Sequence, residues 1–212
     1  MTQMSTGSPL IAVFDVDGTL LDGDCLLMAA LRSRSPLGLL WAGFQLLPWL
    51  LAWQSRQIST GRFKQHTLAL FRVCDRVNQA ESSGHHDWLL PVLMDHLRPE
   101  ALQRLRLHQR NGDRVLLCSA SPRMLLAPLA DALEVELIAT ELQHTDGIWQ
   151  PILASPNCKG PEKVRRLSEH LGPLEGLTLE AYGDSEGDRE MLEVATIPHY
   201  CSFDHEPRPY SK

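Results

Sequence analysis

The stretch that most constrains the fold is Ile11-Ala-Val-Phe-Asp15-Val-Asp17-Gly18-Thr19-Leu20, near the start of the chain. The apolar run from Ile11 to Phe14 is rich in β-forming residues, which is typical of a strand buried on both faces. Gly18 allows the backbone to turn away from the end of that strand. A doubly wound sheet binds its ligands outside the carboxyl ends of its strands, so we expect Asp15 and Asp17 at such a site.

Asp15 and Asp17 are two carboxylates in close proximity, and they repel each other unless a cation or a shared proton compensates them. One interpretation is a Mg²⁺ site in which one acid is a nucleophile and the other shuttles a proton. The other interpretation is an ordinary turn, because Asp and Gly are common turn residues. The stretch by itself leaves both interpretations open.

The second half of the chain alternates between short apolar strands and helices, which is typical of a parallel sheet. An Asp146-Gly147 turn predicts a hairpin within residues 141–153. The predicted fold class is α/β: a doubly wound, Rossmann-like parallel-sheet core with an inserted α-helical cap between the first and second core strands. The predicted core strands after the first are residues 114–118, 135–139, 177–182 and 197–201. The predicted boundaries are 10–24 and 98–203 for the catalytic core and 25–97 for the cap.

Four helical segments are predicted before the second core strand, and the first covers residues 26–31. Residues 59–80 have the period of one amphipathic helix. Residues 87–97 and 99–111 follow as two more, with Pro99 suited to a first helical turn and Gly112 to a helix stop.

Residues 35–55 contain no charged side chain and hold three of the five tryptophans, Trp41, Trp49 and Trp53. The run is long enough to span a bilayer. A single crossing would, however, put Asp15 on the opposite side from the later motifs. The remaining interpretations for residues 37–53 are a hairpin kinked at Pro48 that packs within the cap or forms a homodimer, and peripheral contact with a membrane surface.

Composition excludes some classes of function and favours one compartment. The formal charge of −6 gives no reason to expect nucleic-acid binding, which shows as a basic patch. Five cysteines without C-x-x-C spacing suit reduced thiols, and residues 1–9 lack the features of a secretory signal and are predicted to be a flexible lead-in. We therefore expect a cytoplasmic protein, either free or peripheral to the inner membrane face.

Polar turns follow three of the predicted strands, and a lysine-bearing segment completes the set. They are Asp15-x-Asp17-Gly18, Ser119-x-Ser121, Asn157-Cys-Lys159-Gly-Pro-Glu-Lys163 and Gly183-Asp184-x-x-Gly187-Asp188. Phosphoryl transfer from a monoester needs a nucleophile, a proton shuttle, positive charge and hydrogen-bond donors. All four requirements are met within these segments.

In this order, the four segments resemble the motifs of the haloacid dehalogenase-like hydrolase superfamily. The spacing resembles its helical-cap subfamily, which includes phosphoserine phosphatases and phosphatidylglycerophosphatase C. The resemblance covers roughly residues 10 to 200, and four ordered motifs are more specific than any one of them.

The resemblance implies a role for each motif residue. Asp15 would be the nucleophile that forms an aspartyl-phosphate, and Asp17 would be the acid and base. The metal, Mg²⁺, would be held by Asp15, Asp184 and the backbone carbonyl of Asp17, with Asp188 supporting the site. The phosphate or substrate would be bound by Ser119, by the backbone after it at Ala120, and by Gly18. Ser119 could also be the N-cap of the next helix, and both roles can hold together.

Two assignments stay open. Relatives place the phosphate lysine at the position of either Lys159 or Lys163, and the Lys-Gly pair before the helix favours Lys159. Asp24 stands where phosphoserine phosphatases carry a substrate-contacting Glu, but an N-cap role is equally plausible.

The substrate is chosen by the cap, where the sequence departs from phosphoserine phosphatases. Their carboxylate-binding Arg is replaced by Leu70, with Arg72 nearby. An apolar cap favours an apolar monoester, such as a lipid phosphate of the phosphatidylglycerophosphate type, although phosphoserine remains an alternative. Phosphotransferase or mutase activity on the same aspartyl-phosphate is a different reaction class. A non-catalytic interaction module is the third alternative, and it would require the loss of a motif.

Overall fold

The computed structural model describes residues 10–85, 88–201 and 203, so the lead-in predicted for residues 1–9 lies outside the described residues. Its central layer is a five-stranded sheet in the order β3-β2-β1-β6-β7, in which every neighbouring pair is parallel. The strands are β1 (Ile11–Phe14), β2 (Arg114–Pro122), β3 (Glu136–Thr140), β6 (Leu179–Gly183) and β7 (Ile197–Tyr200), and a separate antiparallel pair is formed by β4 (Leu142–Thr145) and β5 (Ile148–Leu153).

Strand β1 is the centre of this sheet and is fully buried. Successive side chains of a strand point to opposite faces. Ala12 and Phe14 accordingly belong to one buried cluster, and Ile11 and Val13 belong to the other. The apolar run is therefore continuous because both faces of the sheet are covered by helices, which confirms the predicted fold class.

The helices on both faces and in the insertion begin and end as follows: α1 (Cys25–Arg32), α2 (Pro36–Gln54), α3 (Thr60–Leu70), α4 (Val73–Ser82), α5 (Leu90–Asp95), α6 (Pro99–Asn111), α7 (Arg123–Leu133), α8 (Pro161–Leu171) and α9 (Arg189–Val194). Helices α1 to α5 lie between β1 and α6 in the chain, so the insertion is helical, as predicted. The boundaries given for the cap and core stay predictions.

The single helix predicted for residues 59–80 is wrong, because the structure has two helices there. They are separated at Phe71 and Arg72, and Arg72 has a left-handed backbone with φ of 56°. The amphipathic period continues across this break, so the sequence pattern did not indicate it. The helix predicted for residues 87–97 is shorter, and its expected first residue, Asp87, lies outside the described residues.

The predicted hairpin at Pro48 is also wrong. Helix α2 runs through Pro48 as one element of 19 residues. Its only buried residue is Ala42, which excludes the interpretation that residues 37–53 are the core of the cap. By length and composition alone, α2 is the one helix in the described part of the chain that could cross a membrane.

The predicted hairpin around Asp146-Gly147 is confirmed as the pair β4 and β5. It packs against α3 and α4 rather than extending the main sheet. Leu153 donates its backbone N–H to Gln65 over 2.9 Å, and Trp149 donates its backbone N–H to Asn78 over 2.8 Å. The hairpin therefore ties the helical insertion to the chain that follows β3.

Candidate active site

The centre of the site is Asp15, directly after β1 and 94% buried. The ammonium of Lys163, in α8, lies 2.5 Å from Asp15 Oδ1. The same ammonium donates to Asp188 Oδ1 and to the carbonyl of Cys118, each over 2.6 Å. The ends of β1 and β6 and the interior of β2 thus converge on one buried cation.

The charge of Lys163 is held in place by its acidic neighbours. Burial acts to lower the pKa of Lys163, but the carboxylates of Asp15 and Asp188 raise it well above its ordinary value. A buried lysine with two carboxylate partners remains an ammonium. Positive charge is therefore present beside the carboxylate of Asp15.

The sequence-based preference for Lys159 over Lys163 does not match this geometry. Lys159 lies against Gly187, where an added Cβ would come within 2.8 Å of its Cε. It lines the same cavity as Lys163, but the ammonium in contact with Asp15 is that of Lys163. The Lys-Gly signal was misleading because α8 begins at Pro161, which places Lys163 in the first turn, pointing back into the sheet.

Asp17 is held by donors on both carboxylate oxygens. Cys25 donates its backbone N–H to Oδ1 over 2.6 Å, and the hydroxyl of Ser121 donates to Oδ2 over 2.6 Å. Burial, and then the charge of Asp24, raise the pKa of Asp17 to about 6, against these two hydrogen bonds. A carboxyl with a pKa near neutrality can both give and accept a proton at physiological pH.

Gly18 leaves room for the carboxylate of Asp184. Its φ is +87°, and a Cβ built there would lie 2.3 Å from Asp184 Oδ2. The hydroxyl of Thr19 donates to the other oxygen, Oδ1, over 3.0 Å. Gly18 of the first motif therefore has to be a glycine, because any side chain there would collide with Asp184 of the last motif.

Asp15, Asp184 and Asp188 form the one cluster in the described part of the chain that could hold a metal ion, with one ligand atom from each lying within 4.8 Å of the others. Burial raises the pKa of Asp15, and repulsion from Asp188 and Asp17 adds to the effect although Lys163 opposes it. A further cation bound to these acids would lower the repulsion between them. Carboxylate oxygens are the ligands that Mg²⁺ prefers, so the donor set fits the predicted ion.

Asp188 supports this cluster. One oxygen accepts from Lys163, and the other accepts from the hydroxyl of Ser185 over 2.7 Å and from its backbone N–H over 3.0 Å. The carboxylate thus orients Lys163 and the loop that carries Asp184. The role of Asp188 in supporting a bound metal, which the resemblance implies, stays a prediction.

Ser119 is fully buried inside β2, so its alternative interpretation as a helix N-cap is wrong. Pro122 precedes α7 instead. Ser119 Oγ accepts the backbone N–H of Ser121 over 2.9 Å, and Ala120 lines the cavity with Ser121. The register of β2 shifts after Ser119, which opens this turn towards Asp17. The contacts of Ser119 and Ala120 with a phosphate stay predictions.

The N-cap role considered for Asp24 is confirmed, and its contact with a substrate stays a prediction. Its carboxylate accepts the backbone N–H of Leu27 over 2.7 Å and caps α1. It also lines the cavity above Asp15 and Asp17.

The cavity measures about 280 Å³, and the insertion forms part of its wall. The insertion contributes Leu26, Trp53, Thr60 and Lys64, and Asp24 lies directly before it.

Sequence reasoning missed Lys64. It lies on the buried stripe of α3 with Gly61, Thr67 and Leu68, and that spacing was the available signal. Its ammonium donates to the carbonyl of Ala120 and to Asn157 Oδ1.

Arg72 does not substitute for the carboxylate-binding Arg of phosphoserine phosphatases. Its side chain is 61% exposed and pairs with Asp75. It borders a different cavity, at the start of α2. Among the described residues, the basic side chains lining the active-site cavity are Lys64, Lys159 and Lys163.

Comparisons with known proteins agree with this fold. The sequence profile of haloacid dehalogenase-like hydrolases matches residues 12–193. Protein CicA of Caulobacter vibrioides is 34% identical over 211 residues, which are 98% of this chain and 92% of that protein.

Solved structures share the fold at low sequence identity. The crystal structure of a protein of unknown function from Bordetella pertussis Tohama I matches with a TM-score of 0.76 and 23% identity, covering 91% of this chain and 89% of that one. A substrate-bound phosphoserine phosphatase matches with a TM-score of 0.60 and 15% identity, covering 91% and 85%. The chain belongs to the haloacid dehalogenase-like hydrolase family, and its structural neighbours include phosphoserine phosphatases.

Proposed function

We propose that this hydrolase is a Mg²⁺-dependent phosphatase that hydrolyses a phosphate monoester through an aspartyl-phosphate on Asp15. The observation that carries the proposal is the buried contact of 2.5 Å between Lys163 Nζ and Asp15 Oδ1, in a cavity that Asp17 also lines. Nucleophile, cation and proton shuttle thus face one space. Such preorganised charge is the main source of catalysis in phosphoryl transfer.

In the first half-reaction, a carboxylate oxygen of Asp15 attacks phosphorus and the bond to the leaving oxygen breaks. Asp17 gives its proton to that oxygen, and Lys163 neutralises charge on the phosphoryl group. In the second half-reaction, Asp17 takes a proton from water, which attacks phosphorus and releases Asp15 and phosphate. Hydrogen bonds from Cys25 and Ser121 hold Asp17 in one orientation for both steps.

Mg²⁺ would be held by Asp15 and Asp184, with Asp188 close by. It would supply positive charge that lowers the repulsion between the substrate phosphate and these acids. The chain itself keeps the acids together, because Gly18 makes room for Asp184 and Ser185 fixes Asp188.

The test is hydrolysis of an aryl phosphate by Asp15→Asn, with Asp22→Asn as the matched control. Asp22 is an exposed acid of the same loop. We expect Asp15→Asn and removal of Mg²⁺ with a chelator each to abolish hydrolysis, while Asp22→Asn retains it. Activity retained by folded Asp15→Asn would disprove the proposal.

Analysis of products in the presence of an acceptor alcohol tests the phosphotransferase alternative, which predicts transfer of the phosphoryl group to the alcohol instead of release of free phosphate.

A lipid phosphate is the second candidate for the substrate. Leu26 and Trp53 line the cavity, and Arg72 does not reach it. An apolar wall favours an apolar leaving group over the charged serine of phosphoserine. A panel that compares phosphoserine with a short-chain lipid phosphate tests this, and a higher kcat/KM for phosphoserine would contradict it.

A further inference from the structure

Helix α2 is apolar on both of its faces. Leu39, Ala42 and Leu46 face the protein and pack against its core cluster. The opposite side, which we call the outer face, is open to solvent and consists of Leu37, Leu40, Trp41, Phe44, Leu47 and Leu51. Leu37, Leu40 and Phe44 are 80%, 72% and 67% exposed. An exposed apolar patch of this extent marks an interaction surface.

The attachment of α2 to α3 limits how its outer face can be covered. Trp49 stacks on His66 with ring centroids 3.4 Å apart, and Trp53 stacks on Phe63 at 5.0 Å. A helix fixed along one side cannot cross a bilayer without losing these contacts. It can lie in the plane of an interface with one face immersed, over a length of roughly 28 Å.

The charge around α2 complements an anionic surface. Residues 25–74 contain six basic side chains and no Asp or Glu, so the rest of a chain with formal charge −6 carries −12. Arg32 and Arg34 precede the helix, and Arg56 follows it. Basic residues beside an apolar helix face are typical of binding to acidic lipids.

The same charge disfavours a second copy as the occupant. In a two-fold dimer, each surface meets its own equivalent. The Arg32, Arg34 and Arg56 groups of two copies would then flank one shared interface without acidic partners from this segment. Like charges juxtaposed in this way oppose association.

A cavity at the start of α2 offers a place for a lipid phosphate group. It measures about 340 Å³, and Arg34, Arg72 and Arg76 line it together with Gly38 of the first helical turn. Asp75 pairs with Arg72. Arg34 Nε is buried and has no hydrogen-bond partner among the residues that the structure describes. Guanidinium groups bind phosphate through paired hydrogen bonds.

We propose that the outer face of α2 docks on the surface of an anionic phospholipid bilayer, with a lipid headgroup phosphate bound between Arg34 and Arg76. Trp53, near the end of the same helix, lines the active-site cavity. Docking therefore holds at the membrane the helix that contributes Trp53 to the wall of that cavity. This proposal concerns a partner surface and does not depend on the hydrolytic activity proposed above.

The test is flotation of the full chain with vesicles of phosphatidylglycerol and phosphatidylcholine, compared with phosphatidylcholine alone. The variant Leu40→Gln/Phe44→Gln/Leu51→Gln removes apolar groups from the outer face. The control Ile148→Gln/Ile152→Gln changes exposed side chains of the β4–β5 hairpin. We expect the wild type and the control to float with anionic vesicles, and the outer-face variant to bind at least tenfold more weakly.

Removal of the positive charges beside α2 gives a second part of the test. Arg32→Gln/Arg34→Gln/Arg56→Gln is expected to weaken binding by about fivefold for each charge removed, and added salt should weaken wild-type binding in the same direction. Both sets of variants should hydrolyse a soluble aryl phosphate as the wild type does. Asp15→Asn should float like the wild type, which separates failure of this proposal from failure of the proposed activity.

Two results would overturn the proposal. One is a wild-type protein that does not float with anionic vesicles. The other is a stable dimer in analytical ultracentrifugation that the outer-face variant converts to a monomer, since that would show a second copy on the outer face.

Discussion

The ammonium of Lys163 and the carboxylate of Asp15 are 2.5 Å apart although 148 residues separate them in the chain. Asp15 follows the central strand β1, and Lys163 lies in the first turn of α8. Both are buried, so neither charge is stable there without the other. This pair connects the first and third motifs and distinguishes Lys163 from Lys159.

The first prediction concerns these two lysines. Lys163→Met should lower kcat for an aryl phosphate by about 10²–10³-fold, the loss typical of removing one preorganised group. It should also lower the free energy of unfolding by roughly 3–5 kcal/mol, because it leaves Asp15 and Asp188 buried without their cation. Steady-state kinetics and urea unfolding measure the two effects. Lys159→Met is the matched control and should change kcat less than tenfold; a larger loss there than in Lys163→Met would contradict the assignment.

The second prediction concerns Gly18. An added Cβ would lie 2.3 Å from Asp184 Oδ2, so Gly18→Ala should displace that carboxylate from the acidic cluster. We expect a rise in the Mg²⁺ concentration needed for half-maximal activity, measured by titrating the metal. Gly112→Ala is the control, because Gly112 has φ of +80° but open space around it. It should cost roughly 1–2 kcal/mol of backbone strain and leave the metal requirement unchanged. Equal effects of the two variants on that requirement would refute the argument.

The third prediction concerns the pH dependence of stability through Lys64. Burial lowers the pKa of Lys64 to about 8, although the charges of Asp17 and Asp24 oppose the shift. The unfolded chain therefore binds more protons at this site between pH 8 and the ordinary lysine pKa of about 10.4, and stability rises with pH across that window.

Lys64→Met removes this titration. The free energy of unfolding of the wild type, relative to Lys64→Met, should increase from about pH 8 to about pH 10.4. Urea unfolding of the wild type and of Lys64→Met at both pH values measures it. A difference between wild type and Lys64→Met that falls with rising pH would show that the ammonium is stabilised in the folded state.

Much of the core was predictable because it depends on local signals. The apolar run before Asp15, the Pro99 start and Gly112 stop of α6, and the Asp-Gly turn of the hairpin each reflect backbone preferences of a few residues. The insertion was less predictable. Its break at Arg72 lies inside a continuous amphipathic pattern, and Pro48 lies within a helix although proline disfavours a helix interior.

The residues of the candidate site also differ in whether the sequence predicted them. The four motifs identified Asp15, Asp17, Asp184 and Asp188 by residue type and order. They did not distinguish Lys159 from Lys163, because four residues separate the two and the start of α8 decides which side chain enters the sheet. Lys64 carried no motif, and only the packing of α3 brings it to Ala120 and Asn157.

The amino-acid sequence by itself determined the parallel α/β core, the family and the acids at the strand ends, because these follow from short-range patterns of burial and turn formation. Only the tertiary structure decided which lysine meets Asp15, which residues of the insertion wall the cavity, and that α2 leaves an apolar face open to solvent. The physical reason is that these features depend on contacts between residues far apart in the chain. Local preference specifies each element, whereas packing selects the partner that each side chain meets.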